Sequence, residues 1–381
     1  MEYGIKLVKD LSKKRGGKLE LDSLNPYKVN IRSAEHLDTI YFGTKVYKNE
    51  CQLVDSDFTY DIFLQAYVHD VCNGKRVILF SNKIEFHSQN EIMTVLFDKN
   101  MRLVCESEMK LHCDNDIVVI ATPNGVAIHS NILNSSLNMK IQTTKPYPKL
   151  RYNDRYCAWM KQDFVPYTYI SALYGKNCNG KFCPLECFIK KENDFSFELE
   201  WHGTEKIIES LIEINFHEEK LFQDTTVESS APNQNNVYGA SAFVGNTDRY
   251  GTQWLFSKTT FPILDDLHDK RIERVIWHIP MLNKATSNAL CLYATERRFC
   301  SFGTTWINRV AEKKQLPIYF IMQENGYLSA DVTALYKDKY SGTLKYFDGS
   351  ILKLDIIAKE ESVLISTGDS CMYPHILEVR M

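Results

Sequence analysis

The chain has 381 residues, of which 44% are apolar and 12% aromatic. This length predicts two or three domains, and this apolar content is enough to bury their cores, which excludes an intrinsically disordered protein. The formal net charge is only -3, with 45 basic and 48 acidic residues, so no overall field draws the chain to nucleic acid. No run of 18 apolar residues is present, and we expect no membrane insertion.

The first 33 residues have weak periodicity and are predicted to form an extended N-terminal arm. The stretch "YGIKLVK" is interpreted as a strand that adds to the open sheet edge of a neighbouring subunit. The basic run "SKKRGGK" is either a solvated segment or a weak attachment point for an anionic partner. No signal peptide is recognised, so we expect synthesis in the cytoplasm, with a place in an extracellular, spore-surface or phage structure left open.

Turn signals dominate the next part of the chain. Asn73-Gly74, Asn124-Gly125 and Asn179-Gly180 each stand between β-rich runs. The Asn-Gly pair favours the type I′ turn of a two-residue hairpin, so three such pairs predict antiparallel sheet. A polar stretch with two prolines, "KIQTTKPYPKLRYND", is interpreted as the boundary between two β-rich domains, 34–142 and 143–221.

The second of these domains contains two strictly alternating stretches, "DFSFELEWHG" and "SLIEINFHE". Alternation predicts strands with one buried and one solvated face. The preceding "TEKIIESLIE" is compatible with a short helix, but a strand is favoured because it continues directly into the alternating run.

A polar loop interrupts two strand-like pieces in "KLFQDTTVESSAPNQNNVYGASAFVG". Asparagine side chains bond readily to nearby backbone groups, so this loop is interpreted as a turn chosen for shape. Further on, "DVTALYKDKYSG" predicts a one-turn helix capped by Asp331 or Thr333, and Trp306 is either a core residue or a ligand platform.

Residues 222–381 carry a series of motifs in a fixed order. Asp224, Val227, Ser229, Pro232, Tyr238 and Gly239 are followed by "FGTTWINR", then by "GYLSADVTALYKDKYSG", and finally by "GSILKLDI", "SVLIST" and "YPHILEVRM". In this order the segment resembles the DNRLRE domain family, which comprises jelly-roll β-sandwich modules of microbial surface and structural proteins, some of them alginate-binding. The resemblance implies a jelly-roll-like C-terminal domain.

The predicted fold is therefore all-β, with several antiparallel β-sandwich domains and an extended arm. The predicted divisions are 1–33, 34–142, 143–221 and 222–381.

The sequence lacks the common signatures of catalysis. It contains no G-x-S-x-G, H-E-x-x-H, P-loop or dinucleotide-binding motif, which favours a non-enzymatic protein. The eleven cysteines are interpreted mainly as buried thiols, and the cluster Cys178, Cys183 and Cys187 as separate thiols, with a disulfide or a metal site as alternatives. No cofactor is expected, although the acidic loops 245–251 and 346–350 leave calcium as an alternative.

Two functions follow from these features. The first is a structural or surface-assembly protein, a fibre, appendage or filament subunit that self-associates through its arm or its sheet edges. The alternative is a carbohydrate-binding or adhesion module that recognises surface glycans. Sugar recognition requires exposed aromatic rings with polar neighbours. The candidate residues are Trp254, Trp277, Tyr293 and Tyr327.

Overall fold

A computed structural model of the chain describes most of its residues. It describes all except residues 1, 23, 26–27, 44–57, 62–65, 72–74, 99–102, 108–109, 114–115, 123–124, 132–135, 163–164, 217–219, 261–263, 265–266, 284–289, 346–347 and 356–361.

The chain forms two compact units. Unit 1 combines residues 1–50 with residues 218–381, and unit 2 contains residues 51–217. In sequence, unit 2 is therefore an insertion into unit 1.

The first part of unit 1 contains one helix and three strands: α1 (Glu2–Arg15), β1 (Lys18–Leu21), β2 (Lys28–Arg32) and β3 (Leu37–Phe42). Unit 2 contributes the strands β4 (Phe58–Asp61), β5 (Ala66–Val71), β6 (Lys75–Leu79), β7 (Lys83–Ser88), β8 (Glu91–Phe97), β9 (Leu103–Ser107), β10 (Lys110–Cys113), β11 (Ile117–Thr122), β12 (Gly125–Ser130), β13 (Ser136–Thr143), β14 (Leu150–Tyr152), β15 (Tyr156–Gln162), β16 (Val165–Asn177), β17 (Phe182–Cys183), β18 (Leu185–Asn193), β19 (Ser196–Gly203) and β20 (Ile207–Phe216). The rest of unit 1 consists of β21 (Phe222–Glu228), β22 (Ser241–Thr247), β23 (Gly251–Thr259), β24 (Arg274–Pro280), β25 (Leu290–Ala294), β26 (Ile318–Tyr319), β27 (Ile321–Met322), β28 (Tyr327–Asp331), α2 (Thr333–Tyr336), β29 (Ser350–Leu354), β30 (Ser362–Ser366) and β31 (Ile376–Arg380).

Unit 1 is a sandwich of two antiparallel sheets. The first sheet has the order β1-β2-β3-β31-β24-β28-β27, and the second has the order β26-β25-β29-β23-β22-β30, with β21 paired to β23. One apolar core joins residues from both sheets, and in it Phe222 stacks on Trp277 with ring centroids 5.0 Å apart. Strands β24, β25, β28 and β29 alternate between the two sheets, so the chain crosses repeatedly from one layer of the sandwich to the other.

Unit 2 is also built from two antiparallel sheets. One has the order β18-β19-β13-β8-β7-β6-β5-β4, and the other has the order β14-β15-β16-β20-β12-β11-β10-β9, with β17 paired to β16. Aromatic side chains from the two sheets meet edge to face, Trp159 with Phe197 at 4.7 Å and Phe86 with Phe216 at 4.9 Å. The all-β prediction is confirmed.

The N-terminal segment differs from the expected extended arm. Residues of "YGIKLVK" lie in helix α1, in which Leu7 and Val8 are buried, and not in a strand. Strands β1 and β2 then pair with one another and with β3, and β3 pairs with the last strand, β31. Residues 1–33 are therefore part of the unit 1 sandwich, because their strands extend its first sheet.

The expected boundary near residue 142 also differs from the structure. Strand β13 spans this position and pairs with β8 on one side and with β19 on the other. In the second sheet of unit 2, β12 pairs with β20. Residues of 34–142 and 143–221 thus share both sheets and do not form separate domains.

The hairpin signals have mixed outcomes. The turn at Asn179-Gly180 joins β16 to β17, and Gly180 adopts a φ of 73°. Strands flank Asn73-Gly74 as expected, but this pair lies outside the described residues. Gly125 lies in β12 and pairs with Thr122 of β11, so it belongs to a strand, and Asn124 lies outside the described residues.

The predictions of a strand at 204–213 and of a one-turn helix agree with the structure, but the N-cap of that helix is Val332, which makes no side-chain cap, and not Asp331 or Thr333. The stretch "TEKIIESLIE" contributes to strand β20, and the one-turn helix is α2. The Asp331 carboxylate accepts hydrogen bonds from the backbone N–H and the hydroxyl of Thr333 at the start of this helix, at 3.1 and 2.5 Å. Among the described residues, no helix has both the length and the apolar character needed to cross a bilayer.

Candidate functional site

The outer face of the second sheet of unit 1 carries a group of aromatic and charged side chains. The neighbouring strands β23, β29 and β25 place Leu255, Leu352 and Leu292 in register, and all three leucines face the core. Because side chains alternate along a strand, the adjacent Trp254, Lys353 and Tyr293 project from the opposite face.

A second, smaller apolar cluster lies on this outer face. It contains five buried residues, Val227, Phe256, Phe299, Val310 and Ile351, with the half-buried Trp254 and Trp306 packed against it. The segment between β25 and β26 therefore covers part of the sheet and brings Trp306 to Trp254.

Cations lie over these half-buried aromatic rings. The ring centroids of Trp254 and Trp306 are 4.9 Å apart, and the Arg309 guanidinium lies 4.8 Å from the first and 4.2 Å from the second. The Lys353 ammonium lies 5.1 Å from the Trp254 ring and 4.2 Å from the Tyr293 ring. Cations over aromatic faces are attracted by the ring quadrupole. We call these five residues the aromatic–cation cluster.

Two carboxylates balance the two cations. Glu312 pairs with Lys353, and Asp355 accepts hydrogen bonds from the hydroxyls of Tyr293 at 3.3 Å and Tyr319 at 2.5 Å. The hydrogen bond to Asp355 raises the pKa of Tyr319, while burial is the main cause that raises the pKa of Tyr293. Burial also lowers the pKa of Arg309. The site is thus close to neutral overall.

A small pocket of about 120 Å³ opens beside the cluster. Its lining residues are Gly245, Asn246, Thr252, Trp254, Tyr293, Lys353, Leu354 and Asp355. The Thr252 hydroxyl donates to the Asn246 side-chain oxygen at 2.7 Å, which orients that amide. The pocket therefore combines two aromatic walls with hydroxyl, amide, ammonium and carboxylate groups.

The Asn-rich loop between β21 and β22 helps to position Trp306. The Asn235 side chain donates to the backbone oxygens of Ser301 at 2.7 Å and Thr304 at 2.8 Å, and the Pro232 oxygen accepts from the Ile307 N–H at 3.2 Å. These bonds fix both sides of Trp306, so the polarity of this loop serves geometry, in agreement with its interpretation as a turn.

The four candidate aromatic residues separate into two pairs. Trp254 and Tyr293 come together in the pocket. Trp277 and Tyr327 are only 1% and 0% exposed, so they cannot present a ring to a ligand. Their inclusion is corrected: Trp277 packs in the core between the two sheets, and Tyr327 is buried on the opposite face of the first sheet, against His278.

Four charged residues of the site carry no prediction from the sequence: Arg309, Glu312, Lys353 and Asp355. In "GSILKLDI", alternation places Lys353 and Asp355 on the face opposite the core leucines Leu352 and Leu354. This alternation is a sequence signal that indicates Lys353 and Asp355 as residues of the outer face. Arg309 meets Trp254 only through the covering segment, so no local pattern indicates it.

The metal-site alternatives receive no support from the described residues, among which no three His, Cys, Asp or Glu side chains cluster as metal ligands. Cys178 is exposed, Cys183 and Cys187 are buried, and all three are free thiols. Asp248 is exposed in the β22–β23 turn, and Asp348 lies 3.9 Å from Lys313.

Unit 2 contains an open groove of about 810 Å³. Its lining residues are Ile92, Thr94, Gln142, Thr143, Thr144, Asn193, Asp194, Phe195 and Ser196. Phe195 is the one aromatic side chain among them, and it lies half exposed in the β18–β19 turn. The groove lacks the paired aromatic walls of the unit 1 pocket, which is therefore the stronger candidate site.

Comparison with known proteins does not assign the chain to a family. No protein-family model matches it, and a search of curated proteins finds no significant match.

Proposed function

We propose that this protein is a non-enzymatic glycan-binding protein whose site is the pocket beside the aromatic–cation cluster. The observation that carries this proposal is the convergence of Trp254 and Tyr293 with the polar groups of Asn246, Lys353 and Asp355 around one cavity. Sugars present apolar C–H faces that pack on aromatic rings and hydroxyl rims that hydrogen-bond to amides and carboxylates.

The size and charge of the pocket define the ligand class. A cavity of about 120 Å³ accepts part of one sugar ring and not an extended chain. Since the charges of Lys353 and Arg309 are matched by those of Glu312 and Asp355, the site favours a polyhydroxylated ligand without a large net charge.

A glycan array probed with the full chain tests this proposal. The wild-type protein is expected to bind a limited set of glycans, and Trp254→Ala is expected to lose about 1–3 kcal/mol of binding free energy on removal of the stacking wall. Tyr340→Ala is the matched control, because Tyr340 is a 93% exposed aromatic residue outside the pocket lining. An array on which the wild-type chain binds nothing would refute the proposal.

The environments of three buried acids, Glu91, Asp369 and Glu378, support a non-enzymatic function. Glu91 accepts hydrogen bonds from the hydroxyls of Thr143 and Tyr147, both at 2.6 Å. In unit 1, Asp369 pairs with Lys220 at 2.6 Å, and Glu378 binds Arg15. Each of these three acids is less than 10% exposed and tied to neighbouring side chains, so each is explained by its contribution to the fold.

Surface assembly is the second candidate function, as a subunit of a fibre or appendage on a cell, spore or phage. One observation favours it: Leu316, Tyr319 and Ile321 are exposed at the edge of unit 1. The resemblance of residues 222–381 to DNRLRE modules of microbial surface proteins points to the same setting. The two functions are compatible, because a surface subunit that carries a glycan site is an adhesin.

A further inference from the structure

The segment 313–324, which we call the edge segment, forms one side of the unit 1 sandwich. Strand β26 is the last strand of the second sheet, and β27 is the last strand of the first sheet. Only the buried Phe320 separates them. The edge segment therefore provides the edge strand of each sheet, and both sheets end at the same surface of unit 1.

Large apolar side chains are exposed along the edge segment. Leu316 is 88% exposed, Ile321 is 64% exposed and Tyr319 is 47% exposed. An exposed apolar sheet edge is a site for association, and natural proteins ordinarily place charges or proline there to prevent it. Pro317 is present, but the three exposed side chains flank it on both sides.

The charges of the edge segment are distributed asymmetrically. Lys313 and Lys314 stand at its beginning and Glu324 at its end, and Lys314 and Glu324 are both exposed. When two copies meet antiparallel about a two-fold axis near Tyr319, the basic end of each faces the acidic end of the other. A two-fold interface is self-complementary in this way, so the same surface serves on both subunits.

We propose that the edge segment is a homodimer interface and that its occupant is the edge segment of a second copy of this chain. The interface buries Leu316, Tyr319 and Ile321 of both copies and places Lys314 opposite Glu324. This inference rests on the proposed assembly function, and it identifies the assembly partner as a second copy of the same chain. Its test contains no glycan and can therefore fail while the glycan proposal stands, although the Tyr319 hydroxyl also donates to the pocket carboxylate Asp355.

Sedimentation equilibrium of the full chain, over about 1 to 100 µM protein, measures the association. The wild type is expected to dimerise, and Leu316→Asp and Ile321→Asp are each expected to raise the dimer dissociation constant by about tenfold or more. Leu24→Asp is the matched control, because Leu24 is a 93% exposed leucine outside the edge segment, and it leaves the constant unchanged. All three positions are exposed, so the variants keep the wild-type fold.

A charge reversal tests the antiparallel arrangement. Lys314→Glu is expected to weaken the dimer, and the double variant K314E/E324K is expected to restore it, because opposite charges then face each other again. A wild-type chain that stays monomeric throughout the range overturns the proposal. So does a dimer that L316D and I321D weaken no more than L24D, or a double variant that fails to restore association.

Discussion

At the residue scale, the least expected feature is a pair of buried acids at one end of the unit 1 core. Asp224 and Asp369 are 3% and 7% exposed. The Asp224 carboxylate accepts from the Gly368 N–H at 2.5 Å through one oxygen, and its other oxygen finds no partner among the described residues. Burial raises the pKa of each carboxyl to about 6, and the charge of Asp224 further raises that of Asp369.

These pKa values predict how stability depends on pH. The folded state holds protons on these acids up to about pH 6, whereas an unfolded aspartate ionises near pH 4. The protonated carboxyls therefore contribute fully to the free energy of unfolding below about pH 4, and this contribution is lost as the pH rises through 6. In the wild type, we expect the free energy of unfolding to fall between pH 4 and 6, and Asp224→Asn should reduce this fall by about 2 kcal/mol. The asparagine side-chain oxygen still accepts the hydrogen bond from the Gly368 N–H.

Urea unfolding at pH 4, 5, 6 and 7 measures this effect. Asp369→Asn is the comparison, because it removes a carboxylate that pairs with the half-buried Lys220 ammonium and should destabilise the protein at pH 7. If D224N shows the same pH slope as the wild type, the buried acid is not the source of the slope.

The site residues also show what a sequence can reveal. Trp254 and Tyr293 were found from residue type alone, and Trp277 and Tyr327 were selected by the same criterion although they are core residues. Residue type does not determine which face of a strand a side chain occupies. Register puts Trp277 in the core between the sheets, and Tyr327 is buried because the outer face of the first sheet is covered at that point, so only long-range packing separates the two pairs.

At the element scale, helix α1 is attached to the first sheet by buried ion pairs. Arg15, in its last turn, binds both Asp38 and Glu378, which are 1% and 3% exposed. His278 lies 3.0 Å from the other oxygen of Glu378, and Arg380 lies 3.1 Å from Asp38. Burial alone would raise the pKa of Glu378, but His278 and Arg15 outweigh it and hold the pKa down to about 2.

We expect Arg15→Met to lower the unfolding free energy by about 2–4 kcal/mol, since it leaves two buried carboxylates with fewer partners. Arg32→Met is the matched control, because its pair with Glu20 is largely exposed and contributes about 0–1 kcal/mol. Equilibrium unfolding of both variants measures the difference, and hydrogen exchange in α1 should rise only in R15M. Equal losses in the two variants would show that Arg15 does not hold the helix.

Helix α1 also explains one failure of the sequence analysis. The spacing of Leu7, Val8 and Leu11 fits a helical face as well as "YGIKLVK" fits a strand. The stop signal was present in the basic residues 13–15 followed by Gly16, which adopts a φ of 59°. The later strands were predictable because their alternation and turn residues are local, as in β19 and β20.

At the scale of the whole molecule, unit 1 is assembled from both ends of the chain. Strand β3 pairs with β31 over five registered positions, from Asp38 opposite Arg380 to Phe42 opposite Ile376. No local pattern indicates a pairing between residues so distant in sequence, which is why the predicted divisions separated 1–33 from 222–381.

This architecture predicts which pieces fold. A chain that joins residues 1–50 to 218–381 through a short flexible linker should unfold cooperatively, because it contains all the described strands of both unit 1 sheets. Residues 222–381 alone should be less stable, because they expose the edge of β31 and lack the partner of Glu378 on α1. Circular dichroism and urea unfolding compare the two. Equal stability would show that the N-terminal residues add nothing to the sandwich.

The central claim is that the Trp254–Tyr293 pocket binds a sugar ring, and isothermal titration calorimetry with the glycan bound most strongly on the array tests it most directly. The account predicts one site per chain in the wild type, unchanged binding in Tyr340→Ala, and affinity lowered about tenfold or more in Trp254→Ala and Tyr293→Ala. Equal affinity in the wild type and both pocket variants would contradict it.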